Sequence, residues 1–196
     1  MLVRGKKGHI YVKEKKNRSL LPFPLEPPLL EILLINSLVL SKSGLMLHSS
    51  GIVDDKKAHL FIGDPGHGKS TMARLWRQEG KVALQDEKII VRKKEDSFMA
   101  FSMPGYETNL KPASRGIKIE KVFFIYHSEQ NKIKQLEFPE ATRRLLRNGS
   151  GALFYLGMNS LDWYIGFCKE LASKVSCYSL GFVPNRKVID FIRKIK

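Results

Sequence analysis

The segment Gly63-Asp64-Pro65-Gly66-His67-Gly68-Lys69-Ser70 constrains this chain more than any other, because it satisfies the pattern GxxxxGK[ST] in a telling context. Residues 58–62 before it read as an apolar strand. After it, Met72, Leu75 and Trp76 recur at helical spacing up to Gly80, which predicts a helix over 71–79. A strand, a glycine loop and a helix in that order form a cradle for phosphate, the P-loop. Glycines let backbone N–H groups converge on phosphate oxygens without Cβ atoms in the way. Lys69 would reach the β- and γ-phosphates, the Ser70 hydroxyl would ligate Mg²⁺, and the helix would add the positive end of its dipole. Gly63, Asp64, Pro65, Gly66, His67, Gly68, Lys69, Ser70 and Thr71 are therefore the candidate nucleotide-binding set. A guanine pocket would usually bring Asn-Lys-x-Asp. The nearest stretch, Asn131-Lys132-Ile133-Lys134, ends in lysine, so ATP is the expected nucleotide.

Around this motif the chain alternates strand-like and helix-like stretches. A helix over 26–40 starts at Pro27 and Pro28, where a missing N–H costs little. Strands are expected over 45–53 and 58–62, joined by a polar turn, then at 82–84. A hairpin over 88–94 and 98–103 should turn at Glu95-Asp96-Ser97, and 122–126 is the most continuous apolar strand. Helices follow over 139–147 and 161–175, a strand over 178–183 and a closing helix over 186–195. Residues 1–18 hold seven Lys or Arg and one Glu, with a strand-like stretch at 9–13 and an extended proline-rich connection over 21–28. The organisation expected is a basic strand and linker over 1–24 and a single domain over 25–196. The apolar run 29–40 is too short to span a bilayer, which takes about 20 residues, and it reads as a buried helix. No secretory signal is expected. Cys168 and Cys177 are too few for a disulfide framework and read as reduced thiols in a cytoplasmic protein.

A nucleotide-dependent enzyme needs a carboxylate near the phosphates. Asp86 and Glu87, at the end of the strand after the loop's helix, supply two. One can bind Mg²⁺ through water while the other accepts a proton from an attacking hydroxyl. The bland alternative is a solvated strand end. His48 lies on the strand preceding the glycine loop's own strand; its ring could approach the γ-phosphate or simply fill a turn. His67 reads as filling a variable loop position. His9, His59 and His127 give no metal-ligand spacing.

Taken together, Leu47-His48-Ser49-Ser50-Gly51, then 61–71, then Asp86-Glu87 resemble, in order and spacing, the HPr kinase/phosphorylase family and its shorter HPr-kinase-like relatives. The likeness extends weakly over most of 25–195. It implies an α/β, mixed-sheet P-loop kinase domain of the type shared with ATP-dependent phosphoenolpyruvate carboxykinases. It also implies that His48 sits near the transferring phosphate, that Glu87 takes the proton from a substrate serine, and that Asp86 helps Ser70 hold the metal. Glu107 is a weak counterpart of a later metal-linked glutamate. The bifunctional enzymes commonly carry two aspartates where this chain has Asp86-Glu87, and an acidic residue at the position of Thr71. Their arginine-rich C-terminal signature and N-terminal regulatory domain have no convincing counterpart. These departures speak against phosphorylase activity, and HPr need not be the substrate.

The leading expectation is thus an ATP-dependent kinase acting on a serine of a protein or peptide. The alternative is a non-catalytic ATP-binding regulatory module. The excess of 34 Lys+Arg over 19 Asp+Glu, a formal +15, suits an acidic acceptor or another polyanion. Nucleic acid is disfavoured, since no aromatics interleave with the basic runs around Arg4–18, Arg143-Arg144-Arg147 or the C-terminal lysines. The larger relatives assemble into rings, so a homo-oligomer is allowed.

Overall fold

The computed structural model describes residues 2–4, 7–9, 27–103, 116–149 and 158–195. The chain divides into two compact units, Met1–Leu34 and Ile35–Lys196. The first contains a small antiparallel hairpin of β1 (Leu2–Arg4) and β2 (Lys7–His9), and the start of helix α1 (Pro27–Leu40). Of the strand expected at 9–13 only His9 is described, at the end of β2; 10–13, most of the basic N-terminus, 21–26 and Glu107 lie outside the described residues. In the second unit α1 buries Ile35, Leu38 and Val39 and ends where Lys42 turns left-handed at φ 50°. No helix among the described residues is long and apolar enough to cross a membrane.

The second unit is a mixed α/β domain built on an eight-stranded sheet, in which six of the eight strand pairings are antiparallel. Two long strands organise it. The first half of β3 (Leu45–Asp54) pairs with β6 (Lys88–Lys94), while its second half lies between β4 (Lys57–Ile62) and β5 (Val82–Gln85). Likewise β8 (Ile117–His127) begins against β7 (Ser97–Ser102), then runs parallel to β4 on one side and to β10 (Ser176–Phe182) on the other. Since β6 also pairs with β7, the pairings close a circuit through β3, β6, β7, β8 and β4. The short β9 (Lys132–Gln135) caps the edge beside β10.

Strands β4 and β8 read as continuous apolar runs because both of their faces are covered. On one face, α2 (Lys69–Gln78) and α5 (Lys187–Arg193) seat Met72, Leu75, Trp76, Val188, Ile189 and Ile192 against Phe61, Phe123 and Phe182. The rings of Phe61, Phe123 and Tyr178 stack in register across β4, β8 and β10, with centroids 5.3 and 5.5 Å apart. Alternation along the strand turns Phe124 to the other face, beneath α3 (Phe138–Asn148), where the Arg144 guanidinium lies 5.6 Å from its ring. Helix α4 (Met158–Lys174) completes that side; its Phe167 meets Phe98 edge-on at 5.3 Å, and its Tyr164 hydroxyl donates to the Leu146 carbonyl at 2.7 Å. Cys168 and Cys177 are free and buried, and burial pushes both thiols up to about 12.

Phe123 carries both ring stacks at the centre of the sheet. Phe123→Ala is expected to cost about 3–5 kcal/mol, read as a lowered urea midpoint at unchanged slope.

His59 sits on β4, 6% exposed, between the rings of Trp76 and Phe123 and 3.8 Å from Glu120. Burial lowers its pKa from 6.5 to about 4, against the opposing pull of Glu120. The unfolded chain therefore takes up this proton near pH 6.5 and the folded chain only near pH 4, so stability falls as pH drops through that window. The full loss is about 3 kcal/mol. Urea midpoints followed from about pH 7 to about pH 4.5 should decline, and His59→Leu should flatten the decline over that range.

Candidate functional site

The glycine loop leaves the end of β4 at Gly63 and enters α2 at Lys69. Gly68 adopts φ 91° and ψ 23° just before the helix. A Cβ there would be strained by that φ and would also stand 2.6 Å from Phe182 and 3.1 Å from His127. Gly66 has φ 84° but faces open space, with nothing within 4 Å of where a Cβ would be. Inside the loop, the His67 N–H donates to the Asp64 carbonyl at 3.1 Å, and the Asp64 N–H donates to His67 Nδ1 at 3.3 Å. His67 thus closes the turn on itself.

Lys69 is 7% exposed, and its Nζ donates to the carbonyls of Gly63 at 2.7 Å and Asp64 at 3.2 Å. An ammonium has three N–H bonds, so these two leave one for a ligand. Burial lowers the Lys69 pKa, while the carboxylates of Glu87 and Asp64 oppose the shift. The bond from Met72 N–H to the Gly68 carbonyl, 2.8 Å, opens the helical ladder of α2. The N–H groups of Lys69, Ser70 and Thr71 therefore lie in the unpaired first turn, at the positive end of the helix. They border an open cleft of about 450 Å³, together with Pro65, Gly66 and Gly68.

Three residues from outside the loop also line this cleft: His48, Glu87 and His127. His48 comes from the middle of β3, opposite Lys88 in register. Glu87 occupies the turn between β5 and β6, and its carbonyl accepts from the Ser49 N–H at 2.9 Å, which holds that turn beside His48. Asp86 does not line the cleft. Its carboxylate is gripped by both terminal nitrogens of Arg77 on α2, Nη1 donating to Oδ2 at 3.0 Å and Nη2 donating to Oδ1. The structure thus brings His48, Lys69, Ser70, Thr71 and Glu87 together and turns Asp86 away.

Sequence reasoning passed over His127. Its Nε2 stands 2.9 Å from the Gly66 carbonyl, which can only accept, so Nε2 carries the proton. The ring leans on Phe182 at 5.4 Å. It reaches the cleft because β8 pairs in parallel with the loop's strand, a partner choice that the sequence does not signal.

Among the described residues no group of three or more His, Cys, Asp or Glu could hold a metal ion by itself. A hard cation such as Mg²⁺ takes phosphate oxygens along with one or two protein oxygens. Ser70, which lines the cleft, carries one such oxygen.

A second, smaller cleft of about 210 Å³ opens on the other side of the loop, between Asp64, His67 and the α3 residues Arg143, Arg144 and Arg147. Glu140 lies between the first two arginines, which hold its carboxyl down at about 2.

No known protein family matches the chain in sequence, and no curated protein matches it. Among solved structures, the Hpr(Ser) kinase/phosphatase from Coxiella burnetii is similar at 12% identity, covering 76% of this chain and 87% of that one, with a TM-score of 0.44. That likeness is loose.

Proposed function

We propose that the protein is an ATP-dependent kinase that transfers the γ-phosphoryl group to a serine hydroxyl of a protein or peptide. The observation that carries this reading is the convergence on one cleft of a helix N-terminus, a buried lysine and a carboxylate from a separate turn. The first-turn N–H groups and Lys69 hold and neutralise the phosphate oxygens. Ser70 would hold Mg²⁺, which when bound supplies charge neutralisation of the phosphates. Glu87 accepts the proton of the serine hydroxyl as its oxygen bonds to phosphorus, while the bond to the β-phosphate oxygen breaks and ADP departs. His48, which lines the same cleft, would donate to a phosphate oxygen. Asp86 steadies the β5–β6 turn against α2 through Arg77 rather than facing the cleft.

One observation favours a non-catalytic ATP-binding module instead: Arg77 engages Asp86, leaving Glu87 as the member of the acidic pair at the cleft. Incubation with Mg²⁺, γ-labelled ATP and host-cell extract separates the two. A labelled protein or peptide that vanishes with Lys69→Ala and with Glu87→Gln supports the kinase. Nucleotide binding without a labelled acceptor supports the module.

A further inference from the structure

We infer that the arginine face of α3, beside the glycine loop, docks a carboxylate-rich segment of the phosphate acceptor. This rests on the kinase reading only in naming the bound segment an acceptor; the recognition itself is argued from charge and geometry. Arg143 and Arg147 are exposed, with side-chain accessibilities of 67% and 71%. Arg144 is held in place by its contact with Phe124 and by Nη1 donating to the Ser179 hydroxyl at 3.4 Å. Glu140 takes Nε and Nη2 of Arg143 and Nε of Arg144, which leaves Nη1 of Arg143 and Nη2 of Arg144 outside those bonds. Arg147 reaches Asp64 at 3.7 Å, an ion pair too long to be a hydrogen bond. Three guanidiniums thus line one cleft with two carboxylates between them, and among the described residues their donors are only partly used. Planar guanidinium groups bind carboxylates in paired, directional hydrogen bonds.

The chemistry of the walls selects the kind of polyanion. A single-stranded nucleic acid needs open aromatic faces for its bases. Here the ring of Phe124 is covered by Arg144, and the ring of Tyr126 has the Lys132 ammonium 5.8 Å from its centroid. Both rings already carry a cation, so neither Phe124 nor Tyr126 is an open stacking face. Its location points to the acceptor: Gly63, Asp64 and His67 border this cleft, and Pro65, Gly66 and Gly68 border the one holding Lys69 and Glu87. The glycine loop is their common wall. An acidic segment seated on α3 would hold a neighbouring serine at the edge of the phosphate cleft and reduce the entropy lost in reaction.

The test is fluorescence anisotropy at low salt with three labelled probes: a peptide with glutamates flanking a serine, its glutamine counterpart, and an oligothymidylate. The full-length protein is compared with the double variant Arg143→Gln/Arg147→Gln, with Arg147→Gln alone, and with Lys56→Gln/Lys94→Gln as an equal loss of charge elsewhere. Wild type should bind the glutamate peptide about tenfold more tightly than the glutamine one. The arginine double variant should lose about tenfold, the single variant about threefold and the lysine pair less than about twofold. Melting temperature and binding of a fluorescent ATP analogue report that each variant is folded. Equal losses in the arginine and lysine variants, or no preference for glutamate over glutamine, would overturn the proposal. So would oligothymidylate binding that depends on the arginines while peptide binding does not. Lys69→Ala should leave peptide binding intact, so a failure of phosphoryl transfer and a failure of docking are read separately.

Discussion

Glu87→Gln is expected to slow phosphoryl transfer by about a hundred- to ten-thousand-fold while leaving the affinity for ATP nearly unchanged. Glutamine keeps the size of the side chain and its capacity to bond, but it cannot accept the serine proton. The carbonyl of residue 87 still accepts from Ser49, so the turn should hold its place. The matching variant Asp86→Asn weakens only the grip of Arg77 and should change the rate by less than about tenfold. Initial rates and nucleotide titrations on the two variants decide the matter. A large loss in Asp86→Asn with little in Glu87→Gln would exchange the two roles.

Lys69→Ala should act on binding as well as on chemistry. The affinity for ATP should fall by about ten- to a hundredfold through the loss of a charge-assisted hydrogen bond. Transfer at saturating nucleotide should fall by a further hundred- to thousandfold or so, because the charge that develops on the phosphate is no longer met. The same side chain donates to the carbonyls of Gly63 and Asp64. Its removal should therefore also loosen the loop, visible as a fall of about 1 kcal/mol in stability. A nucleotide titration that matches wild type would remove Lys69, and with it the nucleotide reading of the cleft.

Much of the fold was legible because its elements are local patterns. The strand, glycine loop and helix from Lys57 to Gln78 carry apolar runs, turn residues and helical spacing within a few residues of one another. The hairpin of β6 and β7 was signalled by Glu95-Asp96, where Glu95 turns at φ 54°. The short strand β9 was not legible, since Lys132-Ile133-Lys134-Gln135 has a single apolar residue and its pairing with β10 is remote in sequence. The sharing of β3 and β8 between two sets of neighbours was equally hidden, because partner choice at each half depends on segments remote in sequence. The candidate site divides in the same way. The loop residues, His48 and the pair Asp86-Glu87 were candidates from motif and spacing, and the resemblance singled out Glu87. The capture of Asp86 by Arg77 could not be foreseen, because two side chains nine residues apart in a helix, turn and strand carry no periodic signal. Nor could the nearness of the α3 arginines to Asp64, which depends on α3 folding over the far face of the sheet.

The closeness of Phe182 to Gly68 has a consequence for how the protein is made. The loop leaves the ribosome long before β10, yet the aromatic ring that walls Gly68 belongs to β10. His127, which braces Gly66, leans on that same ring. During synthesis the nascent chain therefore carries the whole glycine motif without the surface that shapes it. β10 must dock parallel to β8, a slow and non-local pairing, before the loop is walled. On the proposed kinase reading, ATP, by favouring chains in which that docking has occurred, would act as a ligand for completed folding, drawing late intermediates toward the finished domain by mass action.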